Sequence, residues 1–215
     1  MVPGGANVEG DSTWRVPVYK NVNTKPHPNE RLLDDLIAAA VDCFRRNGFE
    51  ATSVQQIVET AGVTKGAFYH YFNSKDQLLL LIHEMFLDFE TGLLDSILDQ
   101  PPDSALATLC EELVALNDRF LPYLSLVAED NRRHLLKPEF ARAREKRDAF
   151  EEKIIKLVED GIAAGVFKAV ENPKLVAFGI IGMCISVNRW YRPGGIPARE
   201  VGRTYAQIIL SGLHV

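Results

Sequence analysis

From Asn29 onward the apolar residues return every three or four positions, and no other feature constrains the chain as strongly. Leu33, Ile37, Ala40, Val41 and Phe44 form one such stripe. Asn47-Gly48 closes it, with Arg45 and Arg46 in the last turn, where the helix dipole favours cations. Ser53 to Gln56 has the spacing of a capping box and opens a short helix that ends near Ala61-Gly62. Thr64 caps a third helix through Tyr71. Ser74 to Gln77 repeats the box and opens a long helix toward Gln100, with Pro101-Pro102 as its stop. The same spacing predicts further helices over about Ser104 to Phe120 and Leu121 to Leu136, the latter interrupted near Pro122. Three more follow: Pro138 to Gly165, Asn172-Pro173 to Pro193-Gly194-Gly195, and about Pro197 to Leu213. With no long period-two pattern and no internal repeat, the expected fold is all-α.

Residues 1–28 stand apart. Pro3, Gly4, Gly5, Gly10, Pro17, Pro26 and Pro28 interrupt every helical period. Trp14, Val16, Val18 and Val22 alternate weakly, but Pro17 argues against an interior strand. We read a flexible arm, either docking an extended piece on the body or trailing as a tail. The expected division is this arm, a helix-turn-helix head over 29–74 and a helical body over 75–215.

Composition narrows the function classes. The 215 residues are 47% hydrophobic and 25% charged, with a net charge of -5, so the chain is neither histone-like nor a polybasic membrane binder. A local basic face can still read nucleic acid. No apolar run approaches the ~18 residues that span a bilayer. Met1 to Gly10 lack the basic start and apolar core of a secretory signal, which predicts a cytoplasmic protein. Cys43, Cys110 and Cys184 are far apart, give no CxxC spacing and fall in apolar helical stretches, so they read as reduced core residues. None of the five histidines has a glutamate three residues before it, as a di-metal bundle would need. There is no Walker loop and no GxGxxG. We therefore expect no enzyme, metal or cofactor.

The informative stretch is Ser53 to Leu78. Two short helices around the Gly62 turn make a helix-turn-helix, with Ile57, Ala61, Val63, Phe68 and Phe72 facing one core. Gly66 and Ala67 carry almost no side chain, so that face can approach base edges. Lys65, Tyr69, His70 and Lys75 have the reach for phosphates, and Ser53 and Thr64 stand at helix N-termini, where free amides attract anions. Between Gly62 and Lys75 there are two lysines and no acid. An ordinary αα-hairpin in a helical interaction module without DNA binding is the rival reading.

Residues 31–82 resemble the N-terminal domain of TetR-family transcriptional regulators. The run Gly62-Val63-Thr64-Lys65-Gly66-Ala67-Phe68-Tyr69-His70-Tyr71-Phe72-Asn73-Ser74-Lys75-Asp76-Gln77-Leu78 is similar to the family's signature. Ala38 or Ala39, Phe44, Gly48, Phe49, Thr52 and Val54-Gln55-Gln56-Ile57 complete it. The resemblance implies a three-helix head, a ligand-binding helical body and a homodimer on a palindromic double-stranded DNA operator. It places DNA contacts on Thr52, Ser53, Thr64, Lys65, Gly66, Ala67, Tyr69, His70 and Lys75.

In the body, arginines are the candidate anchors for a small-molecule inducer. Arg189-Trp190-Tyr191-Arg192 ends an apolar helix with two aromatics and two guanidiniums, which suit a planar base and phosphates. Arg147 lies among Phe140, Phe150 and Ile154 and either points inward or pairs with Glu151 one turn on. The Arg189–Gly195 run, the Asp130–Leu135 stretch and Gly161–Phe167 resemble regulators of fatty-acid and steroid catabolism. That resemblance implies an acyl-coenzyme A thioester held near Arg147, Arg189, Trp190 and Arg192. A planar aromatic or drug-like ligand is the alternative, and the same helix end also suits a dimer seam.

Overall fold

The computed structural model describes residues 30–117, 137–192 and 194–214. The predicted arm, the predicted helix over 121–136 and the Asp130–Leu135 stretch lie outside them. Eight α-helices are described: α1 (Glu30–Asn47), α2 (Val54–Ala61), α3 (Lys65–Tyr71), α4 (Lys75–Asp95), α5 (102–117), α6 (Ala141–Ala163), α7 (Pro173–Ser186) and α8 (Ala198–Leu213). A 3-10 turn, Pro138–Phe140, leads into α6, and another, Val187–Arg189, prolongs α7. Among the described residues the one extended pairing is an isolated bridge between Phe167 and His214. The all-α expectation holds.

Local chemistry explains the boundaries. Ser53 Oγ accepts from the Gln56 amide at 3.2 Å, and Gln56 Oε1 accepts from the Ser53 amide at 2.7 Å, so the predicted capping box is complete. Thr64 Oγ1 accepts from the Ala67 amide at 3.1 Å and starts α3. Gly62 closes α2 in the left-handed region, with φ 69°, which favours a residue without Cβ. Two boundaries differ from the sequence reading. α4 stops at Asp95, where the Ser96 amide turns back to the carbonyls of Gly92, Leu93 and Leu94. α5 begins at residue 102, because a proline in the first turn lacks only an amide that would have had no partner.

The core runs unbroken from head to body. Leu36, Phe44, Phe49, Ile57, Phe68 and Phe72 fill the space between α1, α2 and α3. Leu78, Leu79 and Ile82 of α4 belong to the same cluster, so α4 is the rod on which the head sits. Farther along, Leu94, Leu109, Cys110, Val114, Ile154, Val158, Ala177 and Cys184 form the body core. All three cysteines are free and buried, as expected. The Cys184 thiol hydrogen-bonds Cys110 across α5 and α7, and that bond with burial pushes its pKa well up, so it stays protonated.

α4 and α6 run parallel, joined by a ladder of ion pairs. Asp76 meets Lys137 at 2.6 Å, Glu84 meets Arg142 and Lys146 at 3.5 and 3.7 Å, and Asp88 meets Lys146 at 2.7 Å. Asp95 pairs with Lys153 at the far end. Every acid is on α4, and every base is on α6 or just before it. Part-exposed pairs of this kind stabilise little individually, but they fix direction and register.

Candidate nucleic-acid interface and ligand residues

The helix-turn-helix presents its polar side as the sequence predicts. Phe68 is fully buried, and its ring meets that of Phe72 at 5.4 Å in a tilted contact, which turns this side of α3 to the core. Lys65 and Tyr69 then share the outward face one turn apart, beside Gly66 and His70. Lys65, Gly66 and His70 are exposed, Ala67 is half-buried, and Tyr69 is 54% exposed. Ser53 and Thr64 are exposed too, each with its hydroxyl accepting its cap bond.

Gly66 is informative. A Cβ added there would meet only Thr64 Oγ1 at 3.7 Å, and its φ lies outside the left-handed region. Among the described residues, nothing requires glycine there.

Two predicted contacts are placed otherwise. Thr52 is 1% exposed, and its hydroxyl donates to the carbonyls of Cys43 at 3.1 Å and Gly48 at 2.8 Å. It braces the turn after α1, and its side chain is not presented to a duplex. Lys75 donates to the carbonyls of Phe49, Glu50 and Thr52 at 2.7, 3.0 and 3.0 Å. All three ammonium protons are thus spent inside the head, so its expected phosphate contact gives way to a structural tie. Sequence reading missed this because the partners lie more than 20 residues upstream.

In the body, Arg147 and the Arg189 group sit on different elements. Arg147 is half-buried on α6. Its guanidinium meets Asp148 at 3.1 Å and Glu151 at 3.5 Å, so the pairing alternative is realised. Desolvation raises the pKa of Glu151, and Arg147 beside it pulls the other way. Arg189, Trp190 and Arg192 are exposed beyond the end of α7, and Arg192 donates to the Tyr191 carbonyl at 2.7 Å.

The sequence reading also passed over buried polar groups on α4. His83 Nδ1 donates to the Leu79 carbonyl at 3.0 Å, and its ring meets Phe140 edge-on at 5.9 Å. Seven residues on, Glu90 is 7% exposed, and burial pushes its carboxyl up to about 8. The signal was available: Glu90 falls two turns after His83, on the stripe that carries Leu79 and Leu94.

A head with an open, acid-free recognition helix, carried by one long helix that enters a larger bundle, defines the class of helix-turn-helix transcriptional regulators. Comparison with known proteins gives the family. The profile of bacterial regulatory proteins of the tetR family matches residues 36–82, and that of the tetracyclin repressor-like C-terminal domain matches residues 99–213. The chain is 30% identical over 188 residues to the HTH-type transcriptional repressor KstR2 of Mycolicibacterium smegmatis, covering 84% of this chain and 89% of that protein. The solved ketosteroid transcriptional regulator KstR2 of Mycobacterium tuberculosis superposes with a TM-score of 0.79 at 25% identity, over 92% of this chain and 99% of that one. AibR, solved with isovaleryl coenzyme A and operator DNA, shares the fold with a TM-score of 0.72 at 22% identity, over 85% of this chain and 98% of that one. The chain belongs to the TetR family of transcriptional regulators. Among the described residues no helix is long and apolar enough to cross a membrane.

Proposed function

We propose that this regulator is a homodimeric repressor that binds a palindromic DNA operator and leaves it when a small hydrophobic ligand, an acyl-coenzyme A thioester of lipid or steroid catabolism, enters the body. The head spans 29–74 and the body 75–215 in this reading. The observation that carries it is the outward face of α3: Lys65, Gly66, Tyr69 and His70 lie open there, with a glycine that packing among the described residues does not require. Ser53, Thr64 and Ala67 flank this face. The caps at Ser53 and Thr64 leave first-turn amides free to meet phosphates.

The surface of α7 supports the dimer. Ala177, Ile180 and Cys184 face the core, while Leu175, Phe178 and Ile185 are exposed. A helix apolar all round needs cover on both sides. Two such protomers would set two recognition helices in successive major grooves, about 34–36 Å apart in the simplest geometry.

The ligand class rests on likeness and on side-chain chemistry. KstR2 of Mycobacterium tuberculosis is a ketosteroid transcriptional regulator, and AibR is solved with isovaleryl coenzyme A. Arg189, Trp190 and Arg192 supply stacking and forked donors for an adenine and phosphates, and Arg147 supplies a half-buried cation on α6. The test is titration of the protein–operator complex with acyl-coenzyme A thioesters of several lengths and ring contents. Thioesters are expected to release DNA at concentrations where free coenzyme A and the free acids do not. Release by no thioester would reject the ligand class.

A further inference from the structure

The first turn of α4 is held from two directions. Adjacent helical residues diverge by about 100°, and here Lys75 turns to the head while Asp76 turns to the body. Lys75 ties three carbonyls of the α1–α2 turn, and the last of them, Thr52, immediately precedes Ser53, the N-cap of α2. Asp76 Oδ1 accepts from Lys137 Nζ at 2.6 Å. Lys137 is itself fixed: Arg144 donates to its carbonyl at 3.0 Å, and the next turn anchors Phe140 in the core.

The rest of the α4–α6 ladder begins two turns farther on, at Glu84. Among the described residues, Asp76–Lys137 is the ion pair nearest the recognition helix that joins α4 to the α6 side. Its side chains are 31% and 37% exposed, so the pair is formed but open to water and salt. A contact of that strength can be broken by a modest competing free energy. The Lys75 tie, with three carbonyl acceptors, is the firmer of the two.

We infer that Asp76 and Lys137 form a breakable clasp that holds the head at one angle on the body, with Lys75 as the positioning residue that carries the constraint into the helix-turn-helix. This rests on the DNA-binding reading above. With the clasp closed, α4 leaves the body in one direction, and both heads of a dimer keep one spacing. With it open, the heads sample more orientations and must be ordered again on DNA, which weakens binding without altering any residue that faces the duplex.

The test is a double-mutant cycle on the full chain. A duplex is first enriched from a random-sequence pool by the unaltered protein, and affinities for it are read by fluorescence anisotropy at about 0.1 M salt. Asp76→Asn and Lys137→Met are each expected to weaken binding by roughly two- to five-fold, the range of a part-exposed ion pair. The double variant is expected to be no weaker than either single one, and Lys137→Arg to bind like the parent. Melting temperatures measured alongside are expected to match the parent, which separates a misplaced head from an unfolded one. Losses that multiply in the double variant, or a Lys137→Met protein that binds like the parent, would overturn the clasp. A pool from which nothing is enriched would overturn the DNA-binding reading itself, before any variant is compared, and the clasp with it.

Discussion

The ammonium of Lys75 lies 4.5 Å above the ring of Phe49 and donates to the carbonyl of that same residue at 2.7 Å. Phe49 is buried against Phe44 at 5.0 Å, so one lysine holds the backbone and the aromatic anchor of the turn that leads into α2. Lys75→Met would remove the side-chain donor from the carbonyls of Phe49, Glu50 and Thr52, of which Phe49 keeps the Thr52 amide at 3.2 Å. It is expected to destabilise the protein by about 1–3 kcal/mol. The effect is read as a lower midpoint in a urea melt, with an unchanged salt dependence of any DNA binding that survives. A salt slope reduced as if a phosphate contact had been lost would return Lys75 to the duplex.

Lys65 is expected to behave in the opposite way. It is exposed on the outward face of α3, so Lys65→Ala should leave the melt unchanged. Each phosphate contact removed lowers the slope of log affinity against log salt by about one. A drop of about one for each head, measured from 0.05 to 0.2 M salt, identifies Lys65 as a phosphate contact. An unchanged slope with altered preference between sequences would make it a base contact instead.

Phe178 tests the dimer. It is 39% exposed on the outer side of α7, with the Lys174 ammonium 5.4 Å from its ring. Phe178→Glu would set like charges against each other across a two-fold seam. Light scattering is expected to show a dimer for the parent and a monomer for the variant, with helical content preserved. A variant that stays dimeric would move the seam off this face.

Glu90 fixes the direction of a pH effect. Its folded pKa of about 8 lies above its ordinary value of 4.5, so between these values the folded chain binds a proton that the unfolded chain has released. Stability therefore falls as pH rises through that window and levels off above it. Glu90→Gln removes the titrating group. Its melting temperature is expected to gain on that of the parent steadily from pH 5 to pH 8. A gap that does not change with pH would mean that the carboxyl is charged in the fold and held by a partner.

The fold was largely legible in the sequence, because helix boundaries depend on neighbours. Ser53, Thr64, Ser74 and Asn172 each cap the helix that their spacing announces. The stripe through Ile57, Phe68 and Phe72 is buried as its period requires. The outward face of α3 followed from that stripe by exclusion. What could not be read were contacts set by the path of the chain. Lys75 reached carbonyls 23 to 26 positions upstream, and Asp76 a lysine 61 positions downstream. Cys110 and Cys184 meet only because α5 and α7 share a core. Thr52 was placed among the DNA contacts by resemblance. Its hydroxyl is turned inward by two carbonyls that no local pattern reveals.

The central claim is that the open face of α3 reads a specific duplex. Footprinting of the unaltered protein on the DNA upstream of its own coding sequence, at moderate salt, tests it most directly. The account predicts protection of an inverted repeat, with half-sites about one helical turn apart or a multiple of that, and loss of the protection when Gly66 is replaced by a bulky residue. Uniform weak protection with no preferred sequence, or a Gly66→Leu protein that protects the same repeat as well as the parent, would contradict it.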